Sequence, residues 1–258
     1  MKEKKNSRLF VAPQTSISTL TRFTELEYAI EFIKQNKLHF SPLSSFPDKL
    51  EGKTFEQAKI EDENNVAGKS IPSKIRREII YASCWYAGYE TLQMWDIYGK
   101  DKNCIAIQID FNQFNQNILS TGNYKVESNF LNRITEPRKL KKDGYIFRIS
   151  DFKYGQINYI DFDNSSAIKK EFIGRFKSNH FRHENEFRFL ITQNYKDKPP
   201  VGLKDLKFVI INNSLKKLKI KLIISPYASS DYFDFIKVGF KDQKNVEVIP
   251  SQLTKYFK

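Results

Sequence analysis

Apolar and polar positions alternate most cleanly over Asn103–Phe111, NCIAIQIDF, and this period of two predicts a half-buried strand. Other stretches that read as strands are KLHFSP (37–42), YASCWY (81–86), FKYGQINYIDF (152–162), FVIINN (208–213), KLKIKLIISP (217–226) and VEVIP (246–250). A helical period appears in three places. Thr24 and Glu27 make a capping-box pattern ahead of Leu26, Ala29, Ile30 and Ile33, which share one face. ETLQMWDIYGK (90–100) reads as a helix closed by a left-handed Gly99. SSAIKKEFIGRFKSNHF (165–181) reads as a helix burying Ile168, Phe172 and Phe176. A short helix capped by Ser73 is expected before the YASCWY strand, 56–72 as a polar surface excursion, and TEPRKLKKDG (135–144) as a basic turn. Residues 1–17 read as a tail and 18–258 as a single α+β domain whose strands pair over long distances.

The stretch FRHENEFRFL (181–190) holds the most chemistry. Read as a strand, it puts Asn185, Phe187, Phe189 and Ile191 on one face and Glu184, Glu186, Arg188 and Leu190 on the other. The first face suits a core, so the second fronts a groove. It carries two carboxylates and a guanidinium in a row, roughly 7 Å between alternate positions. Two such carboxylates raise each other's pKa unless a cation intervenes, and Arg188 is a cation within reach. The row suits stabilising an oxocarbenium-like transition state at a sugar carbon, binding ribose hydroxyls, or holding a divalent metal. A surface strand laced with weak ion pairs is the plainer alternative.

Composition narrows the classes. The 258 residues include 22 Phe and 13 Tyr with 40% hydrophobic residues, enough for an aromatic-rich core. Lys and Arg number 43 against 30 Asp and Glu, a formal charge of +13 that favours nucleic acid or an anionic ligand as partner. An AT-rich genome would also raise Lys without implying a partner. Cys84 and Cys104 sit in strand-like apolar settings and suggest neither a disulfide framework nor a zinc site. His180 and His183 flank Arg182, but with His39 as the only other histidine a metal set is not expected. There is no apolar run of the ~20 residues that cross a bilayer, and a soluble cytoplasmic protein is expected. Neither GxxxxGK[ST] nor GxGxxG occurs, nor a serine-hydrolase elbow, which argues against P-loop NTPases, kinases and standard dehydrogenases. Trp85, Tyr86, Tyr89, Trp95 and Tyr98 cluster either as core or as a stacking surface for a flat ring.

Five segments in order resemble the bacterial domain-of-unknown-function family 2971: HFSPLSSFPDKLEG (39–52), SCWYAGYETLQMWDIYGKDKNCIAIQIDF (83–111), YGQINYIDF (154–162), GRFKSNHFRHENEFRFL (174–190) and IISPYA (223–228). The loop departs from the family's F-N-D-P form, reading Phe46-Pro47-Asp48, although Asp48 and Glu51 remain. More distantly, the layout resembles the ADP-ribosyltransferase superfamily, whose members split NAD in a cleft between two small sheets. That resemblance implies two small mixed or antiparallel sheets flanked by helices. It assigns Glu186 to the nicotinamide-ribose hydroxyl and the developing cation, Glu184 to the acceptor, Arg22 to a phosphate or ribose, and Ser41 to alignment of the second sheet. Trp85, Trp95 or Tyr98 would wall the nicotinamide site or support it from behind, and Arg188 would separate the carboxylates in charge. With the basic surplus, the implied activity is an NAD-consuming toxin of a toxin–antitoxin or phage-defence system. It would modify nucleic acid, RNA ahead of DNA, with Lys177 and Arg182 toward the polymer and an antitoxin protein as restraint. Two rivals stand beside it. One is a metal-dependent nuclease using Asp48, Glu51, Glu184 and Glu186; the other is a non-catalytic nucleic-acid-binding or regulatory module.

Overall fold

Strands from opposite ends of the chain meet on one strand, and that meeting shapes the molecule. A computed structural model describes residues 17–48, 77, 80–99, 103–119, 125–128, 153–161, 174–192, 208–211 and 213–257. Among these the order is β1 (Thr19–Thr24), α1 (Leu26–Lys34), β2 (Lys37–Pro42), β3 (Ile80–Ala87), α2 (Leu92–Tyr98), β4 (Ile105–Asp110) and the single turn α3 (Phe111–Phe114). Then follow β5 (Lys125–Ser128), β6 (Lys153–Gln156), β7 (Asn158–Ile160), β8 (Phe176–Ser178), β9 (Glu186–Thr192), β10 (Phe208–Ile211), β11 (Ile220–Ile224), α4 (Ser230–Gly239) and β12 (Val246–Pro250).

Ten of the described strands form one sheet, β12-β11-β4-β1-β3-β2-β10-β5, with β9 and β6 branching from β3; β7 and β8 form a separate parallel pair. The α+β class holds, and its two sheets are unequal. The branch arises because β9 pairs along the whole of one edge of β3, from Ile80↔Thr192 to Tyr86↔Glu186. The other edge is shared. β1 takes its C-terminal end (Leu20↔Ala87, Thr21↔Tyr86) and β2 its N-terminal end (Ser41↔Ala82, Pro42↔Tyr81). Between them β1 and β2 diverge into a fork.

One face of the sheet packs on α1 through Ala29, Phe32 and Ile33, meeting Leu20, Tyr81, Trp85, Phe187 and Phe189 in the largest core cluster. Phe187 and Phe189 are at most 1% exposed, and each side chain so buried is worth about 1.5–3 kcal/mol. On the opposite face Trp95, Cys104, Ala106 and Ile223 pack with Phe23, and Leu43, Ile80, Ala82 and Leu190 form a third cluster.

Several local expectations are corrected. Thr24 does not cap α1: it ends β1, paired with Ile105, so its backbone is committed to the ladder and Glu25 takes the cap position without a side-chain bond. Gly99 closes α2 at φ −110, not left-handed. Its need for glycine is closeness, because a Cβ there would lie 2.6 Å from the Trp95 carbonyl oxygen. Where the expected helix over 165–181 falls on described residues, 174–181, the chain forms strand β8 and enters a 3-10 turn over Asn179–Glu184, and Phe176 lies in the strand. The strand expected over 152–162 is two, β6 and β7, on different sheets. Helix α4 was not anticipated. The expectations for 1–16, 56–72, 135–144, Glu51, the Ser73 cap, Ile168 and Phe172 lie outside the described residues. No described helix is long and apolar enough to cross a membrane.

Candidate active site

The polar row of β9 faces a cleft of about 610 Å³ lined by Arg22, Ser41, Cys84, Tyr98, Lys177 and Glu184 together with Glu186 and Arg188. The alternation along β9 puts Glu186 and Arg188 on this side and Phe187 and Phe189 in the core. Glu184 reaches the cleft by another route. It ends the 3-10 turn, and Asn185, at φ 36 and ψ 52, turns the chain through a left-handed conformation before the strand begins. Asparagine tolerates this region better than most residues. The turn is held by Asn185 Nδ2 donating to the Ala87 carbonyl at 2.5 Å and by Gln156 Nε2 donating to Asn185 Oδ1 at 2.8 Å. Asn185 is therefore a pivot, not a core residue.

Glu186 is 3% exposed and Arg188 fully buried. Arg188 clamps the carboxylate with Nε donating to Oε1 at 2.6 Å and Nη2 to Oε2 at 2.8 Å, while its Nη1 donates to the Gly174 carbonyl at 3.2 Å. Phe46 lies beneath the guanidinium, 5.4 Å from its ring centre. Gly174 has φ +81, a conformation other residues resist, and its carbonyl orients Arg188 from behind. Lys177, from β8, sets its Nζ 2.6 Å from Glu184 Oε2 and 3.5 Å from Glu186 Oε2. Burial by itself would raise the Glu186 pKa; Arg188, then Lys177 and a hydrogen bond from Cys84, outweigh it and hold the carboxyl below its ordinary value. Burial, then the two carboxylates, push the Tyr98 hydroxyl above its ordinary range; Tyr159 is raised chiefly by burial, and its oxygen accepts from the Glu186 N–H at 2.7 Å.

Arg22 occupies the fork. Its Nη1 donates to the His39 carbonyl at 3.3 Å and to Ser83 Oγ at 2.9 Å, joining β1, β2 and β3 where they part. It borders the cleft on one side and a small cavity beside Tyr28, Phe32 and His39 on the other. Ser83 also accepts from Trp85 Nε1 at 3.2 Å. Sequence reasoning passed over Ser83 and Cys84 and chose Ser41. The strand that pairs with both Arg22's strand and Glu186's strand is β3, and it carries Ser83 and Cys84. The one available signal was YASCWY itself, an apolar strand interrupted by two small polar residues.

The remaining predicted residues separate. Ser41 and Tyr98 line the cleft, and Tyr98 stands at its mouth, 48% exposed. Trp85 is a core residue packed against Phe32 and Phe189, touching the cleft from behind. Trp95 does not line the cleft: it is fully buried, its ring edge-on to Phe23 at 4.8 Å and its N–H donating to Glu90. Lys177 is buried among the carboxylates, whereas Arg182 is exposed on the 3-10 turn. Asp48 is buried outside the cleft lining. No three His, Cys, Asp or Glu among the described residues gather as a metal group.

Residues 94–189 match the model of a protein family of unknown function, DUF2971, a stretch that contains most of α2 together with Lys177, Glu184, Glu186 and Arg188. Of the five segments that carry the resemblance, the match takes in the third, nearly all of the fourth and part of the second. No curated protein matches the chain. One solved structure, Thermus sp. 2.9 DarT in complex with ADP-ribosylated ssDNA, aligns with a TM-score of 0.35 at 10% identity, covering 93% of this chain and 97% of that one.

Proposed function

We propose that the chain is an ADP-ribosyltransferase that consumes NAD and modifies nucleic acid. The observation that carries this reading is Glu186, a buried carboxylate clamped at both oxygens by Arg188 and lining a cleft of small-molecule size. Breaking the bond between ribose and nicotinamide develops positive charge at the anomeric carbon. A fixed carboxylate favours that charge more than it favours the neutral ground state. The leaving nicotinamide takes the bonding electron pair, the acceptor's lone pair forms the new bond to the same carbon, and the acceptor's proton passes to a base.

Glu186 is assigned to the cation and the adjoining ribose hydroxyl, and Glu184 to the proton. Arg22 has Nη1 committed to the fork, and its remaining N–H groups suit a phosphate on the cleft side. Tyr98, stacked on Phe23 at 6.5 Å, offers its ring to nicotinamide or to a base. The exposed Arg182 and the +13 surplus favour a polyanionic acceptor, RNA or DNA. Such an activity damages the cell that makes it, so restraint by an antitoxin protein, or deployment only on phage attack, belongs to the same reading.

Labelled NAD incubated separately with RNA, DNA and lysate protein tests it. Wild type is expected to release nicotinamide and label one nucleic acid, and Glu186→Gln to lower release by about a hundredfold or more. Equal activity in the two proteins, or labelled protein alone, would sink the reading. Dependence on a divalent metal without NAD consumption would instead support a nuclease.

A further inference from the structure

We propose that Lys177 is a positioning residue: it seats the Glu184 carboxylate over the cleft as the group that accepts the acceptor's proton, while Arg188 fixes Glu186 for the ribose. The inference rests on the transferase reading and divides the labour between the two carboxylates.

Their anchoring differs. Both oxygens of Glu186 carry an Arg188 N–H, and Cys84 donates to the same carboxylate. A bidentate guanidinium on a fully buried pair holds one geometry. Glu184, 9% exposed, is held through a single oxygen, Oε2, by an ammonium at 2.6 Å. An ammonium is a point charge with rotatable donors, so it neutralises this carboxylate without covering it. Oε1 of Glu184 is left for an incoming N–H or O–H.

Lys177 has a second task. Its Nζ is 3.5 Å from Glu186 Oε2, so it stands between two carboxylates that would otherwise repel across one intervening residue. The Phe181 ring, 4.6 Å from Nζ, backs the ammonium. Lys177 arrives on β8, whose partner β7 brings Tyr159 to the Glu186 N–H. The small sheet therefore reaches both glutamates, Glu184 through Lys177 and Glu186 through Lys177 and Tyr159. In the reaction the acceptor's lone pair bonds to the anomeric carbon, the bond to nicotinamide breaks with its electron pair leaving on nicotinamide, and the acceptor proton goes to Glu184 Oε1 and thence to water.

The test compares wild type, Lys177→Met, Lys177→Gln and Lys177→Arg for nicotinamide release and for ADP-ribose transfer in the same reaction across pH. The groups facing Glu186 are Cys84, Tyr98, Tyr159, Lys177, Glu184 and Arg188, with His180 and His183 on the cleft rim. The neutral variants are expected to lower the ratio of transfer to release about tenfold or more. They should also move the acid limb of the release profile to higher pH, because Lys177 is one of the groups holding the Glu186 carboxyl down. Lys177→Arg should restore most of the ratio. Lys177→Gln stands in should Lys177→Met not fold, which thermal melting checks. A parallel fall in both activities with an unshifted pH profile would make Lys177 merely structural and overturn the proposal. A wild type that releases no nicotinamide would overturn the transferase reading and this inference together.

Discussion

Burial alone would raise the pKa of the Glu186 carboxyl, and Arg188, Lys177 and Cys84 together hold it below its ordinary value. Its folded-state pKa lies below the unfolded one, so the stability it adds is present above the ordinary carboxylate range and is lost as pH falls through the lower, folded value. Removing its main partner follows the same logic. Arg188→Leu removes the bidentate partner of a buried carboxylate and leaves Lys177 as its nearby cation, and the expected cost is about 3 kcal/mol near neutral pH. Denaturant midpoints at constant m should show this loss. The gap from wild type should narrow on acidification, once the carboxyl is protonated in both proteins. A gap that stays constant with pH would mean that the ion pair is not what Arg188 contributes.

Among the elements, the entry to β9 decides how the two glutamates are set. Glu184 and Glu186 share the cleft although Glu184 lies outside the strand, because Asn185 bends the chain at φ 36 and anchors to Ala87 and Gln156. Asn185→Gly keeps the conformation and loses the two side-chain bonds, whereas Asn185→Ala also strains the backbone. The alanine variant is expected to be less stable than the glycine variant by about 1 kcal/mol, measured by chemical denaturation. Equal stability of the two would show that the left-handed turn is not what the position demands. The same elements show where sequence reading succeeds. A period of two placed β2, β4 and the core face of β9 correctly, because alternation states directly which side chains a strand hides. A helical period misled at Phe176–Ser178, where the spacing of aromatics continued into residues that form a strand beside β7. There tertiary pairing overrode the local pattern.

For the whole molecule, the polyanion partner we propose would meet a formal charge of +13, and binding of that kind must weaken with salt. Binding to single-stranded RNA or DNA is expected to fall by more than about tenfold between 50 and 200 mM salt, read by fluorescence anisotropy. Salt-insensitive binding would count against charge as the source of affinity. The sequence by itself determined the charge, the aromatic core, the α+β class and the E-x-E-x-R row with its polar and apolar faces. These are properties of composition and of local period. Only the tertiary structure decided that β1 and β2 share one edge of β3, that Arg22 bridges the resulting fork to Ser83, and that Lys177 lies between the two carboxylates. Each of these depends on which strands become neighbours. Side-chain alternation fixes the face a residue presents and leaves open what it will face.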